Sequence, residues 1–437
     1  MSKQVKRVNR AYTQSNELYE RALRSVPLAS QTFSKSAMNF PRGATPLFFE
    51  KGQGAYVWDY DGNKYIDYLL GLMPIILGYC DPDVDEAIRN QVNNGIIFSM
   101  PSDLEIQLAE KLIELIPCAE MVRFGKNGSD ATSAAIRLAR AYTKRDRIAV
   151  CGYHGWHDWY IGTTPRSLGV PKSVQDLSSK FIFNDLDSLE SLLRSSPKGF
   201  AAVILEPTGA YEPKNNFLEG VRNLCDKYGV VLVFDEIVTG FRVNMGGAQR
   251  KYGVIPDLSS FGKAMANGMP ISAIVGKHEI MKLMNDIFFS GTFGGETLSL
   301  AAAIATINKL ESINAPEVFN RIGKTISNTV QNIITDCELD EVISVTGANW
   351  WPRIAVKAHG STSQIVVNTL LRQEMIEQGI FMGSTFNISI AHDDENIMKE
   401  TIFGIRKSFE SLSEHLKINN PVSKLRGELI KPVFQVR

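Results

Sequence analysis

The pattern of apolar and polar positions changes twice along this chain. Residues 16–26 have the spacing of an amphipathic helix, and residues 46–71 alternate apolar and polar side chains around the turns GQG and DG. This alternation predicts short antiparallel strands near the start of the chain. From about residue 80, helical stretches alternate with continuous apolar runs. Beyond about residue 320, helices and strands alternate without an obvious chemical motif.

Four apolar runs in the central part of the chain are rich in β-branched residues. Such runs are typical of strands that are buried on both faces of a largely parallel sheet. Residues 217–229 lie between two of them, have helical spacing and end in a glycine, as a crossover helix does. We therefore predict an α/β fold with a mostly parallel sheet flanked by helices. The four runs are RIAVCGY (147–153), FAAVILEP (200–207), GVVLVFDE (229–236) and ISAIVG (271–276).

The length of the chain predicts more than one domain. A single hydrophobic core seldom serves 437 residues, and the strand-turn pattern near the start differs from the central block. We expect a large domain over residues 76–320 and a smaller α+β domain built from both chain ends. The predicted small domain comprises residues 1–75 and 321–437.

Composition and charge narrow the class of protein. The 47 basic and 47 acidic side chains balance without a long charge run, which argues against nucleic-acid and membrane partners. The longest apolar stretch, 68–80, contains Gly and Pro and is too short to span a bilayer, and the polar N-terminus lacks the apolar core of a signal peptide. Five scattered cysteines without CxxC pairs indicate reduced thiols in a cytoplasmic protein, and we expect no metal site.

A single lysine, Lys263, stands in the uncharged run SFGKAMANGMP (260–270). One interpretation is an exposed loop lysine, which is the ordinary case for this residue type. The other is a partly desolvated amine that forms a Schiff base with a carbonyl compound. The surrounding small residues would let another molecule approach closely, and the motifs elsewhere in the chain decide between the two interpretations.

An acidic pair follows the apolar run 230–234. Asp235 falls where a buried strand is predicted to end, and ligands of open α/β sheets bind beyond the carboxyl ends of the strands. Asp235 is either a turn or helix-cap aspartate or the partner of a buried cation. Two acids, Asp235 and Glu236, directly after five apolar residues are costly unless one of them has a cationic partner. A protonated pyridine nitrogen is such a partner.

The segment GKNGSDATSAAIRLARAYTKR (125–145) predicts the start of a helix. Ser129 is the expected N-cap, and Gly128 lets the backbone approach a ligand. A glycine and a serine at a helix start are suited to phosphate, although most capped helices bind nothing. The sequence contains neither GxGxxG nor GxxxxGK[ST], so dinucleotide and P-loop sites have no support. The predicted apolar face comprises Ala131, Ala134, Ala135, Leu138 and Tyr142.

Two further loops carry candidate ligands. The aromatic run YHGWHDWY (153–160) follows a predicted strand and can supply a ring that stacks on a flat cofactor, or can form an ordinary aromatic cluster. Thr292, in the glycine-rich run 288–305, is either a phosphate donor or a turn cap. A Schiff-base lysine, an aspartate for a ring nitrogen, a phosphate-binding helix start and a stacking ring together predict a pyridoxal phosphate enzyme.

The chain resembles the class III aminotransferases of the fold-type-I pyridoxal phosphate superfamily, and most of all the glutamate-1-semialdehyde aminomutase branch. The runs VFDEIVTGFR, GVIPDLSSFGKAMANGMPISA and SGTFGGE carry the resemblance in the expected order and spacing. It implies that Lys263 binds the cofactor covalently as a Schiff base and that Asp235 keeps its ring nitrogen protonated. It also implies a homodimer with shared active sites. The other implied cofactor residues are Tyr153 and Val238 on the two ring faces, Gly128 and Ser129 at the phosphate, Thr292 at the phosphate of the neighbouring subunit, and Glu206 in the site lining.

Two segments depart from the aminomutase pattern where substrate is selected. The aminomutase-like arginine of a GGVNSPVR-like segment is absent from residues 27–43, where Lys35 stands nearest in an ungapped count. The lid is rewritten as IGTTPRSLGVPKSV (161–174). We therefore expect an intermolecular aminotransferase that uses an amino acid donor, L-glutamate, and an aldehyde or ketone acceptor such as a sugar-type compound of a polysaccharide pathway. The aminomutase reaction and a non-catalytic pyridoxal phosphate-binding protein are the alternatives.

Four residues are candidates for shaping the substrate pocket: Lys35, Trp156, His157 and Trp351. Each has a structural alternative. For Trp351 the structural role is the favoured one. Asp130 stands where the family usually has Glu, and either acid suits the first turn of a helix.

Overall fold

The helices and strands of the protein are taken from a computed structural model that describes residues 10–209 and 211–431. The strands are β1 Phe49–Gln53, β2 Tyr56–Asp59, β3 Lys64–Asp67, β4 Met121–Gly125, β5 Arg147–Cys151, β6 Ser178–Lys180, β7 Phe200–Leu205, β8 Val231–Asp235, β9 Leu258–Phe261, β10 Ser272–Gly276, β11 Ile343–Thr346, β12 Arg353–Val356 and β13 Ile380–Phe381. The helices are α1 Thr13–Ala22, α2 Pro82–Val92, α3 Asp103–Leu115, α4 Gly128–Thr143, α5 Asp158–Ile161, α6 Lys172–Gln175, α7 Leu186–Ser195, α8 Phe217–Tyr228, α9 Gly247–Tyr252, α10 His278–Met281, α11 Thr297–Ser312, α12 Ala315–Asp336, α13 Gln364–Glu377 and α14 Glu395–Leu416.

The chain divides into two compact units. The first contains residues 10–73, Leu77–Asp81 and residues 318–431, and the second contains Pro74–Ile76 and Pro82–Glu317. In the first unit, β13 pairs in parallel with β3 at the end of the sheet β1-β2-β3-β13. This pairing joins the two ends of the chain in one sheet. The antiparallel strands predicted over 46–71 are β1, β2 and β3.

The second unit is built on a seven-stranded sheet with the order β4-β10-β9-β8-β7-β5-β6. Strands β9, β8, β7, β5 and β6 run parallel, whereas β10 is antiparallel to both of its neighbours. The predicted mostly parallel sheet is therefore confirmed. The run ISAIVG forms β10, and its five residues are buried as in the parallel strands. The apolar composition of the run follows from this burial and does not distinguish a parallel strand from an antiparallel one.

Helices cover the sheet with faces that follow from their sequences. Helix α8 buries Phe217, Leu218, Val221 and Cys225, and it ends at Gly229 in the left-handed conformation, with φ of 59°. Helix α4 buries the predicted alanines and Leu138, and also Ile136 and Ala139. The prediction that Tyr142 belongs to the apolar face of α4 was wrong. Its side chain is 43% exposed, because in the last turn of α4 its hydroxyl donates to Glu279 at the surface, over 3.2 Å.

The described residues contain neither a membrane-spanning helix nor a cluster of metal ligands. None of the helices formed by residues 10–209 and 211–431 combines the length and hydropathy needed to cross a bilayer. Within the same residues, no group of three or more His, Cys, Asp or Glu side chains is placed to hold a metal ion.

Candidate active site

The carboxyl ends of four parallel strands lie in line across the second unit. Cys151 of β5 pairs with Leu205 of β7, Leu205 with Phe234 of β8, and Phe234 with Ser259 of β9. The residues that follow these strands therefore emerge along the same edge of the sheet, where ligands of open α/β sheets bind. They include four of the predicted site residues: Tyr153, Glu206, Asp235 and Lys263.

The start of α4 reaches this edge by a different route. Strand β10 runs opposite to β9 and begins at the carboxyl edge, where Ser272 pairs with Gly125, the last residue of β4. The turn from Gly125 to Gly128 then leads into α4. The sheet topology thus brings the predicted phosphate-binding residues to the edge that carries Lys263 and Asp235.

Asp235 is held by a histidine that sequence reasoning did not single out for this role. Its Oδ2 lies 2.8 Å from Nδ1 of His154, and its Oδ1 accepts the N–H of Ile237 over 3.1 Å. The two side chains are nearly completely buried, at 3% and 1% exposure. An ionised carboxylate only accepts hydrogen bonds, so Nδ1 carries the proton. The imidazole lies parallel to the ring of Trp159 at 6.3 Å, which fixes its orientation.

Glu236, the second acid of the pair, is bound by the backbone. Its carboxylate accepts the N–H groups of Ala248 and Gln249 over 2.8 and 3.0 Å, and the hydroxyl of Thr239 also donates to it. Burial raises the pKa of this carboxyl, and these hydrogen bonds oppose the rise. Glu236 therefore stabilises the start of α9, and Asp235 is the acid available to a ligand.

Lys263 directly follows β9 in a strained conformation. It begins a short 3₁₀ helix over Lys263–Ala266, with φ of 40°, and its side chain is half-buried. A non-glycine residue with positive φ is uncommon, and such strain often occurs at functional sites. The environment is the partly desolvated one that a Schiff-base lysine needs.

Three segments of the site meet at the side chain of Ile237. A Cβ atom on Gly262, next to Lys263, would lie 3.1 Å from its Cδ1, and a Cβ on Gly128 would lie equally close. Ile237 itself is two residues after Asp235. The absence of side chains at these two glycines lets the lysine loop, the aspartate turn and the start of α4 pack around one point.

The start of α4 differs in detail from the prediction. Its N-cap is Asn127, and Asp130 accepts the N–H groups of Asn127 and Lys126 over 2.8 and 3.0 Å. The prediction that Ser129 caps the helix was wrong, because Ser129 is its second residue and its hydroxyl accepts the N–H of Trp156 over 3.3 Å. Asp130 therefore lies in the first turn of α4, where an acid is suited, and forms a capping box with Asn127.

The aromatic loop packs against α4 through Gly155, which has φ of 101°. A Cβ on Gly155 would lie 2.2 Å from Oγ of Ser129. On the other side of the loop, the buried carboxylate of Glu206 accepts the N–H of Tyr153 over 2.9 Å. Burial raises the pKa of the Tyr153 phenol, and the charges of Asp235 and Glu206 raise it further. Glu206 therefore positions the loop that carries Tyr153.

The two remaining predicted cofactor residues lie in turns. Val238 is half-buried in the turn after Asp235. Thr292 is exposed in the turn before α11, whose N-cap is Glu296. Lys126, just before the N-cap of α4, forms an ion pair with Glu296 over 2.9 Å. This pair links the turn of Thr292 to the loop that precedes Gly128.

The four candidates for the substrate pocket have different surroundings. Trp156 is 67% exposed, and His157 lies against α4, with Nδ1 2.5 Å from Oγ of Ser133. Lys35 and Trp351 belong to the first unit. Lys35 is exposed at the end of a one-turn 3₁₀ helix, Phe33–Lys35.

Trp351 has the contacts of a structural residue. Its indole Nε1 donates to Asn387 over 2.8 Å, and its ring stacks on Trp350 at 5.6 Å. Asn387 in turn donates to the carbonyl of Leu69 over 2.8 Å. These contacts favour the structural role expected for Trp351.

A lysine, a buried aspartate and a glycine-containing helix start lie at one edge of the parallel sheet of this α/β protein, the arrangement expected of a lysine-based site for a phosphate-bearing ligand. The family model described as Aminotransferase class-III matches residues 38–367. The chain belongs to the class III aminotransferase family and is an enzyme of that class.

Curated relatives match over nearly their whole length. The chain is 39% identical to 3-aminobutyryl-CoA aminotransferase of Cloacimonas acidaminovorans (strain Evry), with 92% of this chain and 98% of the relative covered. It is 33% identical to glutamate-1-semialdehyde 2,1-aminomutase of Ignicoccus hospitalis, with 91% and 99% covered. The resemblance to class III aminotransferases and to the aminomutase branch is therefore confirmed.

A solved structure supports the fold independently. The PLP internal aldimine form of FumI from Sphingopyxis sp. MTA144 superposes with a TM-score of 0.87 at 28% identity, and the match covers 94% of this chain and 100% of the other. The predicted fold, that of a fold-type-I pyridoxal phosphate transferase, is confirmed.

Proposed function

We propose that this protein is a pyridoxal 5'-phosphate-dependent aminotransferase that transfers an amino group from L-glutamate to an aldehyde or ketone. The observation that carries the proposal is the convergence of the loop before Lys263, the turn after Asp235 and the start of α4 around Ile237, together with the hydrogen bond between His154 and Asp235. These residues fit the cofactor. The amine of Lys263 suits its aldehyde, the buried carboxylate of Asp235 suits a protonated ring nitrogen, and the first N–H groups of α4 suit its phosphate.

The cofactor, when bound, supplies the electron sink that stabilises negative charge at the reacting carbon. Asp235 would accept the hydrogen bond of a ring N–H, and His154 orients that carboxylate. The amine of Lys263 would hold the cofactor through its aldehyde, and as a free amine it would remove the proton from the α-carbon of the substrate and return it as a general acid. Tyr153 and Val238 would cover the two ring faces, and Gly128 and Ser129 would hold the phosphate.

The proposed acceptor is a small carbonyl compound of sugar type. A separate acceptor is supported by the segments 27–43 and 161–174, which depart from the aminomutase pattern while the cofactor residues match it. Its sugar-type class is suggested by the runs YHGWHDWYIGTT (153–164) and FSGTFGGET (289–297), which resemble those of proteins in bacterial surface-polysaccharide pathways. A second candidate is an acyl-CoA with a carbonyl at C3. It is favoured by the relative described as 3-aminobutyryl-CoA aminotransferase, whose length this chain covers almost completely. The aminomutase reaction is the alternative that needs no separate acceptor.

The decisive experiment is a titration of the cofactor-loaded protein with L-glutamate, followed by its visible spectrum and by the release of 2-oxoglutarate. We expect the visible absorption band of the bound cofactor to bleach while a stoichiometric amount of 2-oxoglutarate is released. The resulting amino form is then challenged separately with a 4-keto sugar nucleotide and with acetoacetyl-CoA. Recovery of the band with one of them identifies the acceptor class. A band that ignores L-glutamate but responds to glutamate-1-semialdehyde favours the aminomutase, and a band that responds to no amine favours a non-catalytic binding protein.

We also propose a cytoplasmic homodimer in which Thr292 reaches the phosphate of the neighbouring subunit. Exposed apolar side chains next to the turn of Thr292 support this assembly. The segment 95–97 is joined to the start of α11, since the N–H of Thr297 donates to Ile96 over 2.9 Å. Large exposed apolar patches indicate interaction surfaces. The exposed residues are Ile96, Ile97, Phe98, Met100 and Phe293.

A further inference from the structure

The C-terminal tail after α14 is tied to two buried polar residues of α13. The side chain of Gln373 accepts the N–H of Arg426 over 2.9 Å and donates to the carbonyl of Lys424 over 2.8 Å. Oε1 of Glu374 accepts a hydrogen bond from Nη1 of Arg426 over 2.8 Å and lies 3.3 Å from Nε2 of His415. Gln373 and Glu374 are 0% and 3% exposed. Since buried polar groups need their partners, these bonds specify one path for the tail.

Along this path the tail runs beside residues 38–43. The N–H of Glu428 donates to the carbonyl of Arg42 over 2.8 Å, and the N–H of Lys431 donates to the carbonyl of Met38 over 2.7 Å. The guanidinium of Arg42 donates to the carboxylate of Glu428, through Nε over 2.9 Å. The tail is therefore hydrogen-bonded to both ends of the segment 38–42, by main chain and side chain.

Asn39 connects this segment to the turn that carries Lys35. Arg372 of α13 donates through Nη1 to the carbonyl of Asn39 and, over 3.2 Å, to its Oδ1. The amide Nδ2 of Asn39 then donates to the carbonyl of Ser34 over 3.3 Å. A continuous series of hydrogen bonds thus leads from the tail, through the segment 38–42, to the residue before Lys35.

We propose that residues 425–431 act as a clamp that positions the substrate-selecting segment 27–37, with Asn39 as the connection. This inference rests on the proposed function and on the expectation from the sequence that Lys35 is one of the candidates for shaping the substrate pocket. Held at one place, a charged side chain loses little freedom when it binds, and small displacements of a binding group have large effects. The clamp residues are positioning residues, since they act through the segment 27–37.

Gly427 offers a way to open the clamp without changing a charge or a buried residue. A Cβ at this position would lie 2.6 Å from the carbonyl oxygen of Pro41 and 2.7 Å from that of Arg42. Both are backbone atoms, so the tail and the segment 41–42 have to separate in Gly427→Ala. Val422 is 49% exposed in the same tail, and Val422→Ala is the matched control.

The test uses the full-length, cofactor-loaded enzyme and has two readouts. The first is amide hydrogen exchange of residues 30–40, which we expect to be about tenfold faster in Gly427→Ala than in the wild type and in Val422→Ala. The second is the titration with L-glutamate. We expect its half-saturating concentration to rise about tenfold, while the maximal bleaching rate and the cofactor spectrum stay unchanged, as for a loss of binding alone.

Each readout can overturn a different part of the inference. Unchanged exchange of residues 30–40 in Gly427→Ala overturns the clamp. Faster exchange with an unchanged response to L-glutamate overturns its role in substrate positioning. A wild type that ignores L-glutamate removes the proposed donor instead, and the exchange of residues 30–40 then decides the clamp by itself.

A charge reversal provides a second route if Gly427→Ala does not fold. Glu428→Arg places a cation against Arg42 and should speed the exchange of residues 30–40. The double variant Arg42→Glu, Glu428→Arg restores opposite charges and should slow it again. Failure of the double variant to recover, with wild-type circular dichroism, would show that the tail does not act through this contact.

Discussion

His154 donates its Nδ1 hydrogen to Oδ2 of Asp235 across 2.8 Å, within an almost fully buried part of the second unit. The histidine belongs to the loop after β5 and the aspartate ends β8, so the bond reaches across the carboxyl edge of β7. The hydroxyl of Thr132 in α4 donates to the carbonyl of His154 over 2.9 Å. The pair therefore connects the aromatic loop, the helix start and the acid that we propose for the ring nitrogen.

Removing the histidine donor should weaken cofactor binding. His154→Phe keeps the ring packing on Trp159 but leaves the buried carboxylate of Asp235 without its side-chain partner, a loss of about 1–3 kcal/mol. We expect the cofactor Kd, measured by fluorescence, to rise about tenfold to a hundredfold. His154→Asn places an amide donor near the position of Nδ1 and should recover most of the affinity. Equal losses in both variants would contradict a role for the hydrogen bond.

Lys263→Ala tests the Schiff-base lysine directly. Without the amine, the protein should lose the visible absorption of covalently bound cofactor and at least about a thousandfold in turnover, since both attachment and proton transfer depend on this group. Lys282→Ala, at an exposed position in the same unit, is the control and should keep both properties. Retained turnover in Lys263→Ala, measured as 2-oxoglutarate release, would move the reaction to another residue.

Gly155→Ala tests the packing of the aromatic loop on α4. The added methyl group would lie 2.2 Å from Oγ of Ser129, at a residue with φ of 101°. The loop has to move away from the helix start, and we expect at least about tenfold weaker cofactor binding. Gly169→Ala separates the two causes, because Gly169 has φ of 88° and no atom within 4 Å of an added Cβ. If both variants bound the cofactor equally weakly, backbone strain and not the contact with Ser129 would be the cause of the loss.

Asp257 should make the stability of the second unit sensitive to acid. Burial opposes its ionisation, but the hydrogen bond from Lys277 over 2.6 Å and the charge of Arg222 outweigh it and hold the pKa of Asp257 below its ordinary value. The carboxylate therefore stabilises the fold above the pKa of the unfolded chain, and this contribution is lost as the pH falls through the lower folded value.

Asp257→Asn should consequently lower the free energy of unfolding at pH 7 by about 3 kcal/mol, because two cations lose a buried partner. A fall in Tm of about 6–10 °C is the expected measurement. The difference from the wild type should shrink as the pH falls below the ordinary pKa of an aspartate, and it should disappear once the wild-type carboxylate of the folded protein is itself protonated. Asp286→Asn, at an exposed site, is the control. A Tm difference that is constant from pH 3 to 7 would contradict the assignment.

The proposed dimer predicts that an acid on the apolar segment 96–100 separates the subunits. Phe98 is 49% exposed, and Phe98→Asp should raise the dimer dissociation constant at least about thirtyfold in sedimentation experiments, as for an interface hot spot. Ile182→Asp, at a position that is 64% exposed elsewhere in the unit, should have no effect. A wild type that sediments as a fully active monomer would overturn the dimer.

Much of this protein follows from local sequence patterns, because burial and turns leave direct marks on composition. The apolar runs predicted β5, β7, β8 and β10, and the crossover helix α8 ends at Gly229 as its sequence indicated. The sequence also indicated the two principal candidates for the active site. Lys263 stands alone among small residues, and Asp235 follows an apolar strand. A continuous run identifies a strand because a buried strand has no polar face.

The three-dimensional structure alone decided which groups meet. His154 and Asp235 are 81 residues apart, and no local pattern reports a hydrogen bond between them. The N-cap of α4 is Asn127 and not Ser129. Both residue types make good N-caps, so the sequence alone could not choose between them, and the geometry of the turn after β4 made the choice. The direction of β10 and the path of the C-terminal tail are set by long-range pairing and by partners such as Gln373. Local sequence records the burial of each segment, whereas the choice of partners depends on the packing of the whole unit.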